Sequence, residues 1–126
     1  MKLIFSENAE KYLKKKTIGI SDRLNLVLHV KDKYMNCYTI IEPDISFETD
    51  ENYLDGINKI SEWNKKINVY LDPAIKPLIK EEEDLFIDTK GKILKKLIVK
   101  NAESKTKYGC RVVYGKDIST SGVTLS

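Results

Sequence analysis

Alternation of apolar and polar residues with a period of two is the feature that most constrains this chain. The segments 24–30 (LNLVLHV) and 67–71 (INVYL) both alternate in this way. Successive side chains of a strand point to opposite faces, so the pattern is typical of half-buried β-strands. Shorter apolar runs extend the set to about seven or eight predicted strands. They cover 1–5, 24–30, 37–42, 45–48, 67–71, 84–88, 92–99 and 108–114.

Helical signals are fewer. Ser6 is a good N-cap for an amphipathic helix over 7–16, and Gly19 suits the exit from that helix. Asp72 followed by Pro73 predicts a second helix, which must be short because Pro77 follows.

The connections between these elements also carry signals. Pro43 lacks an N–H and is expected to end the strand 37–42. The segment 31–36 (KDKYMN) is expected to be a polar connection. The acidic segment 49–58 is expected to be loop or weak structure, and Gly91 in the link 89–91 predicts a hairpin.

The predicted strands mostly follow one another without helices between them, which disfavours a doubly wound parallel sheet. The sequence therefore predicts an α+β fold: a compact, β-rich domain of mixed or antiparallel sheet with about two helices. A length of 126 residues suits a single core. We expect one core domain over 1–118 and a polar, frayed tail over 119–126.

Composition excludes several partner classes. The net charge is only +3, and Arg23 and Arg111 are the only arginines, so we expect no nucleic-acid partner. Since no apolar run is long enough to cross a bilayer, we also expect no membrane partner. The first residues carry charges too early for a secretory signal, which indicates a cytoplasmic protein. A reducing compartment would leave both cysteines as thiols.

Catalytic motifs are absent from the sequence: it contains no GxxxxGK[ST], GxGxxG, HExxH or GxSxG. The single histidine, His29, lies on the minority face of an alternating strand and is more readily explained as structural. The acidic run 81–84 is expected to be solvated rather than to bind a cation. The aromatic residues are spread over several strands, as core packing requires.

The two cysteines, Cys37 and Cys110, are the remaining candidates for chemistry. Thiolates bind zinc, copper(I) and iron–sulfur clusters, but a closed site needs about four ligands. A homodimer would gather four sulfurs around its two-fold axis. Buried, unreactive cysteine is the commoner alternative on spacing alone.

The order of elements resembles the HesB-like domain of iron–sulfur cluster biogenesis, the family of the A-type carriers. The likeness rests on MKLIFSENAEKYLKKK, LNLVLHVKDKYMNCYTII, INVYLDPAIKPLIKEEED, LFIDTKGKILKKLIV and the later YGC. It spans most of 1–114 and looks nearest to the small Firmicute-type branch of that family. The resemblance implies a compact β-rich α+β fold that is often dimeric.

The resemblance also implies a site. Known members hold iron or a cluster with one cysteine after an early strand and a CxC pair near the C-terminus. Cys37 matches the first position and Cys110 one of the pair, while Tyr108 stands at the other. It implies a non-enzymatic protein that binds iron or a [2Fe–2S] cluster across a dimer, with cluster donor and acceptor proteins as partners.

Two alternatives stay open. One is a non-catalytic interaction module on the same fold that binds no metal, motivated by the missing third cysteine. The other, more distant, is an acid–base enzyme that uses His29, Asp72 or Glu42.

Overall fold

The structure, a computed structural model, describes residues 1–108 of the chain. The predicted tail 119–126, the predicted strand 108–114 beyond its first residue, and Cys110 lie outside the described residues.

The described chain contains eight strands, two α-helices and one 3₁₀-helix. In chain order they are β1 (Leu3–Phe5), α1 (Glu7–Thr17), β2 (Leu24–Tyr34), β3 (Tyr38–Phe47), α2 (Glu51–Asp55), β4 (Asn58–Trp63), β5 (Ile67–Leu71), the 3₁₀-helix Pro73–Leu78, β6 (Leu85–Lys90), β7 (Lys96–Val99) and β8 (Lys105–Tyr108).

These strands form two sheets. The smaller has the order β1-β6-β7, with β1 parallel and β7 antiparallel to β6. The larger has the order β4-β5-β2-β3-β8, in which only the β5–β2 pair is parallel. Both sheets are therefore mixed, and the predicted α+β class with a mixed sheet is confirmed.

One hydrophobic core joins the two sheets. The inward positions of β2 and β5 alternate as the sequence predicts, and Leu28 and Val69 are fully buried. Ala9 and Leu13 of α1 and Ile75 of the 3₁₀-helix pack into the same cluster. Each fully buried aliphatic side chain contributes about 1.5–3 kcal/mol to folding, so this shared core holds the sheets together.

Helix α1 begins after the predicted N-cap, Ser6, and ends before the predicted exit glycine, Gly19. The Ser6 hydroxyl accepts a hydrogen bond from the N–H of Ala9 at 3.0 Å. The same hydroxyl donates to Asp88 of β6 at 2.7 Å, which ties the start of the helix to the smaller sheet. Beyond the C-cap, Gly19 adopts a φ of +75°, a left-handed conformation that glycine accommodates without strain.

The β2–β3 hairpin is longer than predicted, and two expectations about it are wrong. Residues 31–34, expected in a polar connection, continue β2, and β3 runs through Pro43 to Phe47. Strand β8 pairs with β3 only from Tyr38 to Ile41. Among the described residues, no strand pairs with β3 at Pro43 on the side where β8 lies. Proline lacks an N–H, but no inter-strand hydrogen bond is lost there.

Three further boundaries differ from the prediction. The segment 49–58 contains the short helix α2, which Asp50 caps by accepting from the N–H groups of Asn52 and Tyr53. Strand β4 was not predicted, because its sequence (NKISEW) is too polar to alternate clearly. The predicted hairpin between β6 and β7 exists, but its connection is 91–95 rather than 89–91.

Candidate functional site

Cys37 lies in the short turn at the end of the β2–β3 hairpin. The pairing of β2 with β3 continues to Tyr34 and Thr39, and the N–H of Met35 donates to the carbonyl of Tyr38 at 2.8 Å. Cys37 is exposed, as are Tyr34 and Met35. We call residues 34–38 the cysteine tip. Its exposure answers one requirement of a metal-binding or reactive sulfur, which is access from solvent.

Strand β8 runs along β3 toward the same tip. Its last residue, Tyr108, lies opposite Tyr38, and the two rings are tilted at 48° with centroids 6.1 Å apart. All four residues of β8 are exposed. The described chain therefore ends beside the cysteine tip, two residues before Cys110 in the sequence.

The sulfur of Cys37 is disulfide-bonded in the structure. For Cys37 this differs from the expected thiol. Cys110 lies outside the described residues. Within residues 1–108, no three His, Cys, Asp or Glu side chains gather closely enough to hold a metal ion. The described residues of one chain thus supply a single candidate sulfur ligand.

A cluster of polar side chains lies on the outward face of β2 and β3. The Nε2 atom of His29 is 2.8 Å from the hydroxyl of Ser46 and 3.5 Å from a carboxylate oxygen of Asp44. The Nδ1 atom is 3.0 Å from the carbonyl of Val30, an acceptor, so the hydrogen-bond network assigns the ring proton to Nδ1. A neutral ring would accept the Ser46 hydroxyl at Nε2, the arrangement of a hydroxyl and its general base, whereas a protonated ring would donate from Nε2 to Ser46 or Asp44.

The surroundings of this pair do not suit acyl transfer. The adjoining cavity of about 330 Å³ is lined by His29, Ser46, Tyr53 and the carboxylates of Glu48 and Asp50. Glu48 accepts hydrogen bonds from the N–H groups of Thr49 and Asp50, so neither is free to stabilise an oxyanion. The carboxylates would also repel the negative charge that develops on the substrate. The pair is better explained as a structural hydrogen bond between strands.

The two other candidate acid–base residues, Asp72 and Glu42, have partners of their own. Asp72 caps the 3₁₀-helix by accepting from the N–H of Ala74 at 2.9 Å, and it accepts the hydroxyl of Tyr53 at 2.6 Å. Burial, followed by this bond to Asp72, raises the pKa of Tyr53 well above its usual range. Glu42 is half-buried on β3 opposite Lys31. Among the described residues, His29 is hydrogen-bonded or ion-paired to Val30, Ser46 and Asp44 rather than to Asp72 or Glu42, and Asp72 reaches the same cavity only through Tyr53.

Glu81, Glu82 and Glu83 are exposed, as expected for a solvated run, whereas Asp84 is half-buried. Asp84 accepts the N–H of Lys2 at 3.0 Å, and Glu81 and Glu83 form exposed ion pairs with Lys76 and Lys80. Exposed pairs of this kind contribute little to stability. No helix within residues 1–108 has the length and apolar character that crossing a membrane requires.

Sequence reasoning missed the contact between His29 and Ser46. Both residues occupy outward positions on strands that proved to be neighbours, but the register that joins them depends on the full length of the hairpin. Comparison with known proteins adds no assignment, because no protein-family model, curated protein or solved structure matches the chain. The resemblance to the HesB-like family accordingly stays a prediction.

Proposed function

We propose that this chain is a non-enzymatic protein related to iron–sulfur cluster biogenesis, which binds iron or a [2Fe–2S] cluster through Cys37 and Cys110 of two copies. The observation that carries the proposal is the position of Cys37 on an exposed tip beside the end of β8. Cys110 follows Tyr108 by two residues, a separation that spans at most about 7 Å. Cys110 is thus a close sequence neighbour of the strand that pairs with β3 beside Cys37.

Charge near the cysteine tip favours the same proposal. Lys33 and Lys107 lie on strands that converge at the tip, and each is one residue from an end of its strand. Iron held by several thiolates carries net negative charge, which nearby lysines stabilise. One chain offers two cysteines, so the four ligands that a [2Fe–2S] cluster takes require a second copy.

Iron binding through Cys37 requires its disulfide to be reduced first. An external dithiol supplies the two electrons, the S–S bond breaks, and the reductant leaves as its own disulfide. The freed thiols lose their protons on binding the metal, because the thiolate is the ligand. We therefore expect iron binding by the reduced protein only.

Anaerobic reconstitution tests this proposal. The full chain is reduced with dithiothreitol, incubated with ferrous iron and sulfide, desalted, and measured by visible absorption and iron analysis. We expect bound iron in the parent and in the neighbouring control Asn36→Ala, and background iron in Cys37→Ser and Cys110→Ser. Equal iron in the parent and in the double variant Cys37→Ser, Cys110→Ser would refute the proposal.

A metal-free interaction module on the same fold is the second candidate. The observation that favours it is the disulfide-bonded state of Cys37, which leaves no thiolate for a metal. In that case the reduced protein remains folded but retains no iron after desalting. The reconstitution experiment separates the two candidates directly.

A further inference from the structure

The connection between β6 and β7 exposes two adjacent aliphatic side chains. Ile93 is 93% exposed and Leu94 is 87% exposed, the largest exposed fractions among the apolar residues of the described chain. Single apolar side chains are common on protein surfaces, whereas an adjacent pair standing fully in water calls for an explanation. We call residues 90–96 the lysine tip, for the charges described below.

Backbone geometry fixes the shape of the lysine tip. Gly91 has a φ of +105°, and a Cβ atom at this position would lie 2.4 Å from the carbonyl oxygen of Leu94. Only glycine permits this close return of the chain. The exposure of Ile93 and Leu94 therefore follows from the backbone geometry of the hairpin.

Positive charge surrounds the exposed pair. Lys90, Lys92, Lys95 and Lys96 are all exposed, and no acidic residue occurs between positions 89 and 96. The preceding Asp88 is engaged by the hydroxyl of Ser6 at 2.7 Å and by Lys100 at 4.0 Å. The lysine tip thus presents two exposed apolar side chains surrounded by positively charged lysines.

We propose that the lysine tip docks on an anionic lipid surface. Ile93 and Leu94 enter the boundary between headgroups and acyl chains, while the lysines pair with anionic headgroups. This contact is independent of the proposed iron site. The expectation of no membrane partner rested on the lack of a spanning run, and a surface contact of this kind needs no such run.

The chemistry of the tip favours lipid over a nucleic acid. Nucleic-acid phosphates attract lysines, but they give no reason to expose isoleucine and leucine. The segment 90–96 also contains no arginine or aromatic residue for contacts with bases. A lipid surface accommodates an apolar pair without a shaped pocket and attracts the lysines at the same time.

Vesicle sedimentation with the full chain tests the proposal. The probes are vesicles of phosphatidylcholine mixed with phosphatidylglycerol, and vesicles of phosphatidylcholine alone. We expect binding to the anionic vesicles, about a hundredfold weaker binding to the neutral ones, and weakening by added salt. The double variant Ile93→Ala, Leu94→Ala lowers partitioning about tenfold or more.

Two further variants locate the contact. The double variant Lys92→Gln, Lys95→Gln lowers binding to anionic vesicles about tenfold, whereas Tyr34→Ala, at the cysteine tip, leaves it unchanged. All these positions are exposed, and unchanged thermal unfolding by circular dichroism verifies that the variants fold. No binding to anionic vesicles would overturn the proposal. Equal binding of the parent and Ile93→Ala, Leu94→Ala, or tighter binding to duplex DNA than to vesicles, would overturn it as well.

Discussion

The cysteine tip and the lysine tip are both exposed hairpin ends, but the chain forms them by different means. At the lysine tip, one glycine with a positive φ lets the backbone return closely on itself. At the cysteine tip, residues 35–37 all have ordinary backbone conformations, and a neighbouring strand, β8, supports the turn from the side. Local backbone geometry shapes the first tip, and strand pairing shapes the second. Substitutions should therefore act differently on each.

The largest expected difference between the two tips is in the free energy of unfolding, and it arises from a substitution that strains the backbone. Gly91→Ala should lower the free energy of unfolding by about 1–3 kcal/mol, because alanine is strained at this φ and its Cβ would clash with the carbonyl of Leu94. Asn36→Ala at the cysteine tip should change it by less than about 0.5 kcal/mol. Urea denaturation measures both. Equal effects of the two substitutions would remove the contrast between the tips.

The next effect concerns the anchoring of β6, the strand that leads to the lysine tip. Ser6→Ala removes both the N-cap of α1 and the hydroxyl that donates to Asp88, so stability should fall by about 1 kcal/mol. Ser104→Ala, at an exposed position, is the matched control and should have little effect. Urea denaturation measures this difference too.

The Ser6→Ala variant should also change the pKa of Asp88. The hydroxyl of Ser6, with the N–H of Thr89, holds the pKa of Asp88 below its usual range. The stabilisation from this lowered pKa is present above the usual value of about 4 and is lost as the pH falls through the lowered one. In Ser6→Ala the pKa of Asp88 should rise, as measured by NMR titration. An unchanged Asp88 titration would contradict this account.

The smallest effect is expected at the cysteine tip. Tyr108→Ala removes the ring contact with Tyr38 and should cost about 0.5 kcal/mol, since Tyr108 is mostly exposed. Amide hydrogen exchange in β8 should become faster. Tyr34→Ala, at the same tip, should leave that exchange unchanged. If exchange in β8 stays as slow as in the parent, the ring contact does not support the tip.

The sequence predicted the fold class because its buried strands carry a clear signal. Residues 67–71 alternate cleanly and form β5, and Ser6 caps α1 as expected. Helix α2 and β4 escaped prediction because they are short and polar, and their formation depends on caps and neighbouring strands. Pro43 was misread because its effect depends on whether β8 reaches it, which only the register decides.

The candidate site was less predictable than the fold. The sequence singled out Cys37, but its position on an exposed turn depends on how far β2 and β3 extend. Residues 93 and 94 were predicted wrongly in another way, because the apolar run 92–99 that contains them was assigned to a strand, whereas β7 begins only at Lys96. The turn fixed by Gly91 moves them out of the sheet, a geometric effect that periodicity does not report.

Pro43 also has a consequence for how copies of this protein can meet. A proline within β3 offers no amide hydrogen to an incoming strand, so that stretch of the sheet margin is a poor template for extension by a second molecule. Stacking into a continuous intermolecular sheet is thereby discouraged at this margin. Self-association at this stretch of β3 would then depend on side chains rather than on backbone pairing.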